Sequence, residues 1–159
     1  MENLDISQAG TLESAPHRIL VVDDEAFILN LTTEVLTNSG YSVDTAEDGA
    51  IAWNVLQFHR YDLLLTDYNM CRLNGVGLIK KLRAARMVLP VILMSGAVPE
   101  DELRRHPWLQ IAATMQKPFT TAELLGTVRA ALHATDLPRT YIEPSANMQS
   151  SQLKGRMLF

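Results

Sequence analysis

The chain has 159 residues, 47% hydrophobic and 20% charged, which is enough for one globular domain whose core needs neither a disulfide nor a structural metal. Eighteen acidic residues against fourteen lysines and arginines leave a formal charge of −4, which argues against a protein whose main business is coating nucleic acid. Cys71 is the only cysteine, so an intramolecular disulfide and a cysteine-based zinc site are excluded. The longest apolar stretch, residues 88–94, contains Pro90 and is far too short to span a bilayer. The opening Met1-Glu2-Asn3-Leu4-Asp5 has neither the basic lead nor the apolar run of a secretory signal. A soluble cytoplasmic protein without membrane insertion is expected.

Residues 1–17 mix polar and small side chains without period and read as a loose leader. Arg18-Ile19-Leu20-Val21-Val22 is then a short β-branched run ending at Asp23-Asp24, apolar on both faces as a buried parallel strand must be. Ile28, Leu31, Val35 and Leu36 follow at helical spacing, and Asn38-Ser39-Gly40 supplies the stop. Tyr41-Ser42-Val43-Asp44-Thr45-Ala46 is a weaker, more polar strand suited to a sheet edge. Asp48-Gly49 opens a second helix carrying Ile51, Val55 and Leu56.

The unit repeats three more times. Leu63-Leu64-Leu65-Thr66 is a strand ending at Asp67, and residues 75–86 form a helix with Leu78, Ile79 and Leu82 inward. Val91-Ile92-Leu93-Met94 is a strand ending at Ser95-Gly96, followed by a short acidic helix from about Pro99 that Pro107 stops near Arg105. Residues 111–115 form a fifth strand ending at Lys117-Pro118, and Thr120 with Glu123 makes a capping box opening a last helix with Leu124, Leu125, Val128 and Leu132. Five strands alternating with five helices predict right-handed crossovers and a three-layer α/β/α sandwich on one parallel sheet. This domain is expected over residues 18–133. Residues 134–159 read as a tail, flexible or one short docking helix, and are too short for a DNA-reading module, so no direct nucleic-acid partner is expected.

In a parallel sheet all strand C-termini open on one edge, where ligands bind. That edge gathers Asp23, Asp24 and Glu25 after strand one, Asp67 after strand three, Ser95 after strand four and Lys117 after strand five. Two carboxylates about 5 Å apart repel by roughly 3 kcal/mol at an effective dielectric of 20, so such a cluster raises a pKa or recruits a cation. All-oxygen ligands favour a hard ion, of which Mg²⁺ is the abundant one. Carboxylates are nucleophiles in phosphoryl transfer, and the transferring group needs cationic and hydrogen-bonding partners, which Lys117 and Ser95 can supply. The set reads as a magnesium-assisted phosphoryl acceptor.

Val21-Val22-Asp23-Asp24-Glu25, Leu65-Thr66-Asp67-Tyr68-Asn69-Met70 with Gly75, Met94-Ser95-Gly96-Ala97 and Lys117-Pro118-Phe119 resemble, in order and spacing, the receiver domain of two-component response regulators. The resemblance covers roughly residues 18–133 and implies a flavodoxin-like sheet of strand order 2-1-3-4-5. It implies Asp67 as phosphoacceptor, fed by a phosphohistidine on a sensor histidine kinase or histidine phosphotransfer protein. Mg²⁺ would be held by Asp24, Asp67, the main-chain carbonyl of Asn69, and Asp23 directly or through water. Ser95 would hydrogen-bond the phosphoryl group, Lys117 would pair with it, and the Lys117-Pro118 bond is often cis in the family. In its switch the strand-four hydroxyl, here Ser95, moves toward the phosphate and an aromatic residue on strand five turns inward. That aromatic position is Thr114 in this chain, Cys71 stands where proline is usual, and Asn74 where Asp is common.

Three function classes follow. The first is a stand-alone receiver, not an enzyme beyond its own phosphoryl transfer and loss, that switches binding to a downstream protein or relays the group. The second is a dehalogenase-like Mg²⁺ phosphatase, whose motif wants a second acid where this chain has Asn69. The third is a phosphorylation-independent interaction domain, which predicts a degraded pocket. Elsewhere, Cys71 reads as an inert loop thiol, the four histidines as surface residues, and Trp53 and Trp108 as packing or contact residues. Lys80, Lys81, Arg83 and Arg86 read as a solvated helix face.

Overall fold

A computed structural model describes residues 15–136 of the chain. The expected leader up to residue 14, and the expected tail from residue 137 onward, lie outside the described residues. Five strands and five helices alternate: β1 Arg18–Val22, α1 Ala26–Asn38, β2 Ser42–Ala46, α2 Gly49–Phe58, β3 Leu63–Asp67, α3 Gly75–Ala84, β4 Val91–Ser95, α4 Glu100–Arg105, a one-turn 3-10 segment Pro107–Leu109, β5 Ala113–Gln116 and α5 Thr121–Asp136. All pairings are parallel and the order is β2-β1-β3-β4-β5. The expected fold is the observed one.

Strand burial explains the order. The mostly apolar strands β1, β3 and β4 are buried almost throughout and lie in the middle, whereas the more polar β2 takes an edge. Alternate side chains of the central strands feed two cores, as the pleat requires. Leu20, Val22, Leu64 and Leu93 join Ala52 and Leu56 of α2 and Val76, Leu78, Ile79 and Leu82 of α3 on one face. Ile19, Val21, Leu65, Ile92 and Met94 join Leu29 and Leu36 of α1 and Leu124, Val128 and Leu132 of α5 on the other. These are the three layers.

Helix ends follow local chemistry. Asp48 caps α2 by accepting the Ala50 and Ile51 N–H groups at 2.8 and 2.9 Å, and Asn74 caps α3 by accepting that of Gly77 at 2.7 Å. The capping box of α5 is formed: the Thr120 N–H donates to Glu123 Oε2 at 2.7 Å and the Glu123 N–H to Thr120 Oγ1 at 3.2 Å. Gly40, at φ 91, ends α1 with the paired backbone bonds Tyr41 N–H to Leu36 and Gly40 N–H to Thr37.

Several details differ from the sequence reading. The inward face of α1 is Leu29, Thr32 and Leu36, while Leu31 is 48% exposed; in α2, Ala52 and Leu56 are buried and Ile51 is 37% exposed. Leu36 with Val35, and Leu56 with Val55, do face the cores; both helices carry apolar residues on more than one face, so spacing alone put Leu31 and Ile51 inward and passed over Leu29 and Ala52. Helix α3 ends at Ala84 rather than at residue 86, because Arg86 adopts φ 58 and completes the same double-bonded stop as Gly40, with Met87 N–H on Leu82 and Arg86 N–H on Arg83. Strand β5 begins at Ala113 rather than at Ile111: Gln110 turns the chain at φ 48, and Ile111 packs into the α2–α3 core instead. Helix α5 continues to Asp136, past the expected boundary at 133.

Arg83 is not part of a solvated face. Its guanidinium is partly buried and donates to the carbonyls of Met87, Leu89, Leu109 and Gln110 at 2.8 to 3.2 Å, tying the end of α3 to the entry of β4 and to the 3-10 segment. Lys81 places its ammonium 5.5 Å from the Trp53 ring centre, and Lys80 pairs with Glu102 at 3.5 Å.

Candidate functional site

The parallel sheet delivers its strand ends to one rim. Just past β1 stand Asp23 and Asp24, β3 ends in Asp67, β4 ends in Ser95, and Lys117 follows β5. The carboxylates of Asp23, Asp24 and Asp67 have oxygens all within 4.8 Å of one another. Lys117 Nζ reaches into this group, 2.7 Å from Asp23 Oδ2, 2.9 Å from Asp67 Oδ1 and 3.6 Å from Glu25 Oε1. Its backbone N–H donates to the Ser95 carbonyl at 2.8 Å, and the Lys117–Pro118 bond is cis. Asp23 is wholly buried and Asp67 is 4% exposed, while Asp24 faces solvent.

Three clustered carboxylates against one ammonium leave excess negative charge, and the protonation behaviour reflects it. Burial, reinforced by the Asp23 and Asp24 charges, raises the Asp67 carboxyl above its ordinary value despite the opposing pull of Lys117. For Lys117, burial would lower the ammonium, but hydrogen bonds to Asp23 and Asp67 and their charges outweigh it and hold the group above the usual lysine value. The donor set is all oxygen, partly buried and charge-rich, and fits a hard divalent cation of the magnesium type.

The surrounding loops are fixed from several sides. The Gly75 N–H donates to the Tyr68 carbonyl at 3.0 Å, and a Cβ at Gly75 would stand 2.3 Å from the Asp67 carbonyl oxygen, so glycine alone lets α3 start so close to β3. Asp24 accepts a long hydrogen bond from the Cys71 N–H at 3.4 Å, and Asp23 accepts one from the Glu25 N–H at 2.9 Å. Arg72, in the left-handed region at φ 63, reaches Asp48 at the head of α2. Backbone bonds from Ile51 and the Arg72 contact together hold the Asp48 carboxyl below the usual range, although its burial opposes them.

The chain thus brings Asp23, Asp24 and Asp67 together, with Lys117 in direct reach of Asp23 and Asp67. Ser95 lies on the same rim, buried, one residue beyond the register partner of Asp67; its Oγ donates to the Ala97 carbonyl at 2.6 Å and accepts from the Ala97 N–H at 3.3 Å. Asn69 is exposed two residues past Asp67. Thr114 is not at the rim: it is exposed on β5 opposite Leu93 and lines a hollow of about 370 Å³ with Leu103, His106, Leu109 and Ile111. Sequence reasoning missed the bond from Tyr68 Oη to Glu102 Oε2 at 3.0 Å and the Arg72–Asp48 tie. Their partners lie 34 and 24 positions apart, and no short-range pattern announces either.

A 2-1-3-4-5 parallel sheet whose C-terminal rim sets an acidic group against a lysine places a charged site where open α/β sheets bind their ligands. The family model of the response regulator receiver domain matches residues 19–129, and the chain belongs to that family of two-component systems. Among curated relatives it is 30% identical over 143 residues to the alkaline phosphatase synthesis transcriptional regulatory protein PhoP of Bacillus subtilis (strain 168), covering 89% of this chain and 57% of that one. It is 34% identical over 122 residues to the response regulator MprA of Mycobacterium sp. (strain KMS), covering 76% and 52%. The chain therefore spans about half the length of the curated relatives it matches. Among solved structures, Vibrio cholerae chemotaxis protein CheY4 aligns with TM-score 0.70 at 27% identity, over 74% of this chain and 100% of that one. A CheY-like receiver domain protein of Methanospirillum hungatei JF-1 aligns with TM-score 0.72 at 24% identity, over 76% and 97%, and shows the fold. No helix among the described residues is long and apolar enough to cross a membrane.

Proposed function

We propose that the chain is a stand-alone receiver that accepts a phosphoryl group on Asp67 and thereby switches its binding to a downstream protein or passes the group on. The observation that supports this best is Lys117 Nζ seated between Asp67 at 2.9 Å and Asp23 at 2.7 Å, with Asp24 in the same carboxylate group. The donor is a phosphohistidine on a sensor kinase or histidine phosphotransfer protein. An Asp67 oxygen attacks phosphorus, the P–N bond breaks, and the imidazole leaves with that electron pair. Asp23, Asp24, Asp67 and the Asn69 main-chain carbonyl would hold Mg²⁺, which supplies charge neutralisation for the phosphoryl oxygens.

The chain's own residues do the rest. Lys117 pairs with a phosphoryl oxygen in place of the carboxylate it now holds. Ser95 trades its Ala97 carbonyl for another phosphoryl oxygen, which frees the start of the β4–α4 loop. Self-catalysed loss of the group returns the domain to its resting form. Thr114 cannot serve as an aromatic readout, so the conformational response is small or takes another route. The site of action is the cytoplasm, where such kinases present their phosphohistidine.

Incubation with Mg²⁺ and acetyl phosphate should add one phosphoryl group to the wild type, base-labile as an acyl phosphate is, and none to Asp67→Asn. Equal labelling of the variant overturns the assignment. Stand-alone action is tested by the mass of the native protein: a species near 17.7 kDa supports it, and a longer one overturns it.

A further inference from the structure

Tyr68 directly follows Asp67, and each of its polar groups is committed. The backbone N–H donates to the Met94 carbonyl at 2.7 Å, the carbonyl accepts the Gly75 N–H at 3.0 Å, and the half-buried ring packs on the α2–α3 core. The phenol then crosses to α4, donating to Glu102 Oε2 at 3.0 Å, while Glu102 Oε1 pairs with Lys80 of α3 at 3.5 Å. Helix α4 has little else to hold it: six residues, none fully buried, no side-chain cap at its start, and Leu103 as its one apolar contact with the core. A helix seated so lightly belongs to the low-stability end of a fold, where the loss of one polar tie is felt in its local opening.

We propose that Tyr68 is a positioning residue that latches α4 in the resting form and so ties the placement of that helix to the residue beside the acceptor. The inference rests on the receiver reading of Asp67. Two structural paths run from the acceptor region to α4. One goes from Ser95 through Ala97 and the β4–α4 loop; the other goes from Tyr68 to Glu102. In the resting form the second path holds α4 while Ser95 is engaged with Ala97. When the β4–α4 loop is drawn toward an occupied site, α4 can follow only by giving up or reorienting the Tyr68–Glu102 bond. That bond therefore favours the resting form, and coupling of this kind is reciprocal. Removing it makes site occupation easier and leaves α4 already partly released, so that occupation moves it less. Trp108, in the 3-10 segment that follows α4 and 50% exposed, is a built-in reporter of that movement.

The test uses the full chain carrying Trp53→Phe, so that Trp108 is the only fluorophore of its kind, with and without Tyr68→Phe. Beryllofluoride with Mg²⁺ is the phosphoryl mimic, its binding read by calorimetry and the α4 response by Trp108 emission. Tyr68→Phe keeps the ring packing and should tighten mimic binding by roughly three- to tenfold, as loss of one typical part-exposed hydrogen bond implies. It should also shrink the Trp108 response and raise hydrogen exchange over residues 100–109 in the free protein. Glu102→Ala should reproduce these effects, and the double variant should add nothing further. Unchanged affinity, Trp108 response and exchange in Tyr68→Phe overturn the inference while leaving the receiver reading intact. A wild type that binds no mimic overturns the receiver reading, and the inference with it.

Discussion

Lys117 Nζ lies 2.7 Å from Asp23 Oδ2, so the most buried carboxylate of the site is neutralised by a residue 94 positions away, and the same ammonium also serves Asp67. Lys117→Ala should therefore uncover two buried like charges at once. We expect a loss of about 3 kcal/mol at neutral pH without Mg²⁺, most of it restored by Mg²⁺. Urea unfolding with and without the ion measures both numbers. A variant as stable as wild type in the absence of Mg²⁺ contradicts the arrangement.

The raised Asp67 carboxyl fixes the sign of a pH effect. A native acid that holds its proton more tightly than the unfolded chain contributes stability that is complete below the ordinary value of 3.8 and lost as pH rises through the raised native value. Mg²⁺ wants the ionised form. The rise in Tm caused by Mg²⁺ should thus grow with pH across the acid range and be largely absent in Asp67→Asn. Thermal scans at several pH values decide it; a Mg²⁺ effect independent of pH and equal in the variant is the contrary result.

Gly75→Ala tests how closely α3 may approach β3. The new methyl would meet the Asp67 carbonyl oxygen at 2.3 Å, which is backbone and cannot swing away. We expect a cost of about 1–3 kcal/mol, with slower phosphoryl uptake because the acceptor residue itself must shift. Stability by denaturation and labelling rate by intact mass should fall together.

Arg83→Met should cost about 2 kcal/mol, since carbonyls of the α3–β4 turn and the 3-10 segment lose their donor. Lys81→Ala on the same helix, which gives up only a cation–ring contact, should cost less than 1 kcal/mol. Equal costs for the two would show that Arg83 is no more than a surface cation.

What the sequence disclosed and what it hid divide along physical lines. The runs 19–22, 63–65 and 91–94 are apolar on both faces and short, a pattern that belongs to central parallel strands, and the polar residues that close each strand had to fall on one rim. That is why Asp23, Asp24, Asp67, Ser95 and Lys117 were legible as a set. The face of α1 was not, because Phe27, Leu31 and Leu36 offer competing apolar stripes and only packing against β1 and α5 chooses among them. The stop of α3 was missed because Arg86 fills a left-handed position for which glycine is the usual signal. Arg83 and Tyr68 were misread or passed over because their roles are set by partners distant in the chain.

His17, just before β1, stands 3.7 Å from Asp62 and 3.9 Å from Asp136, the last residue of α5. The first strand and the last helix thus meet at the rim opposite the acceptor. An affinity handle or surface tether anchored at either point would hold the domain by its underside, with the carboxylates turned toward whatever approaches from solution.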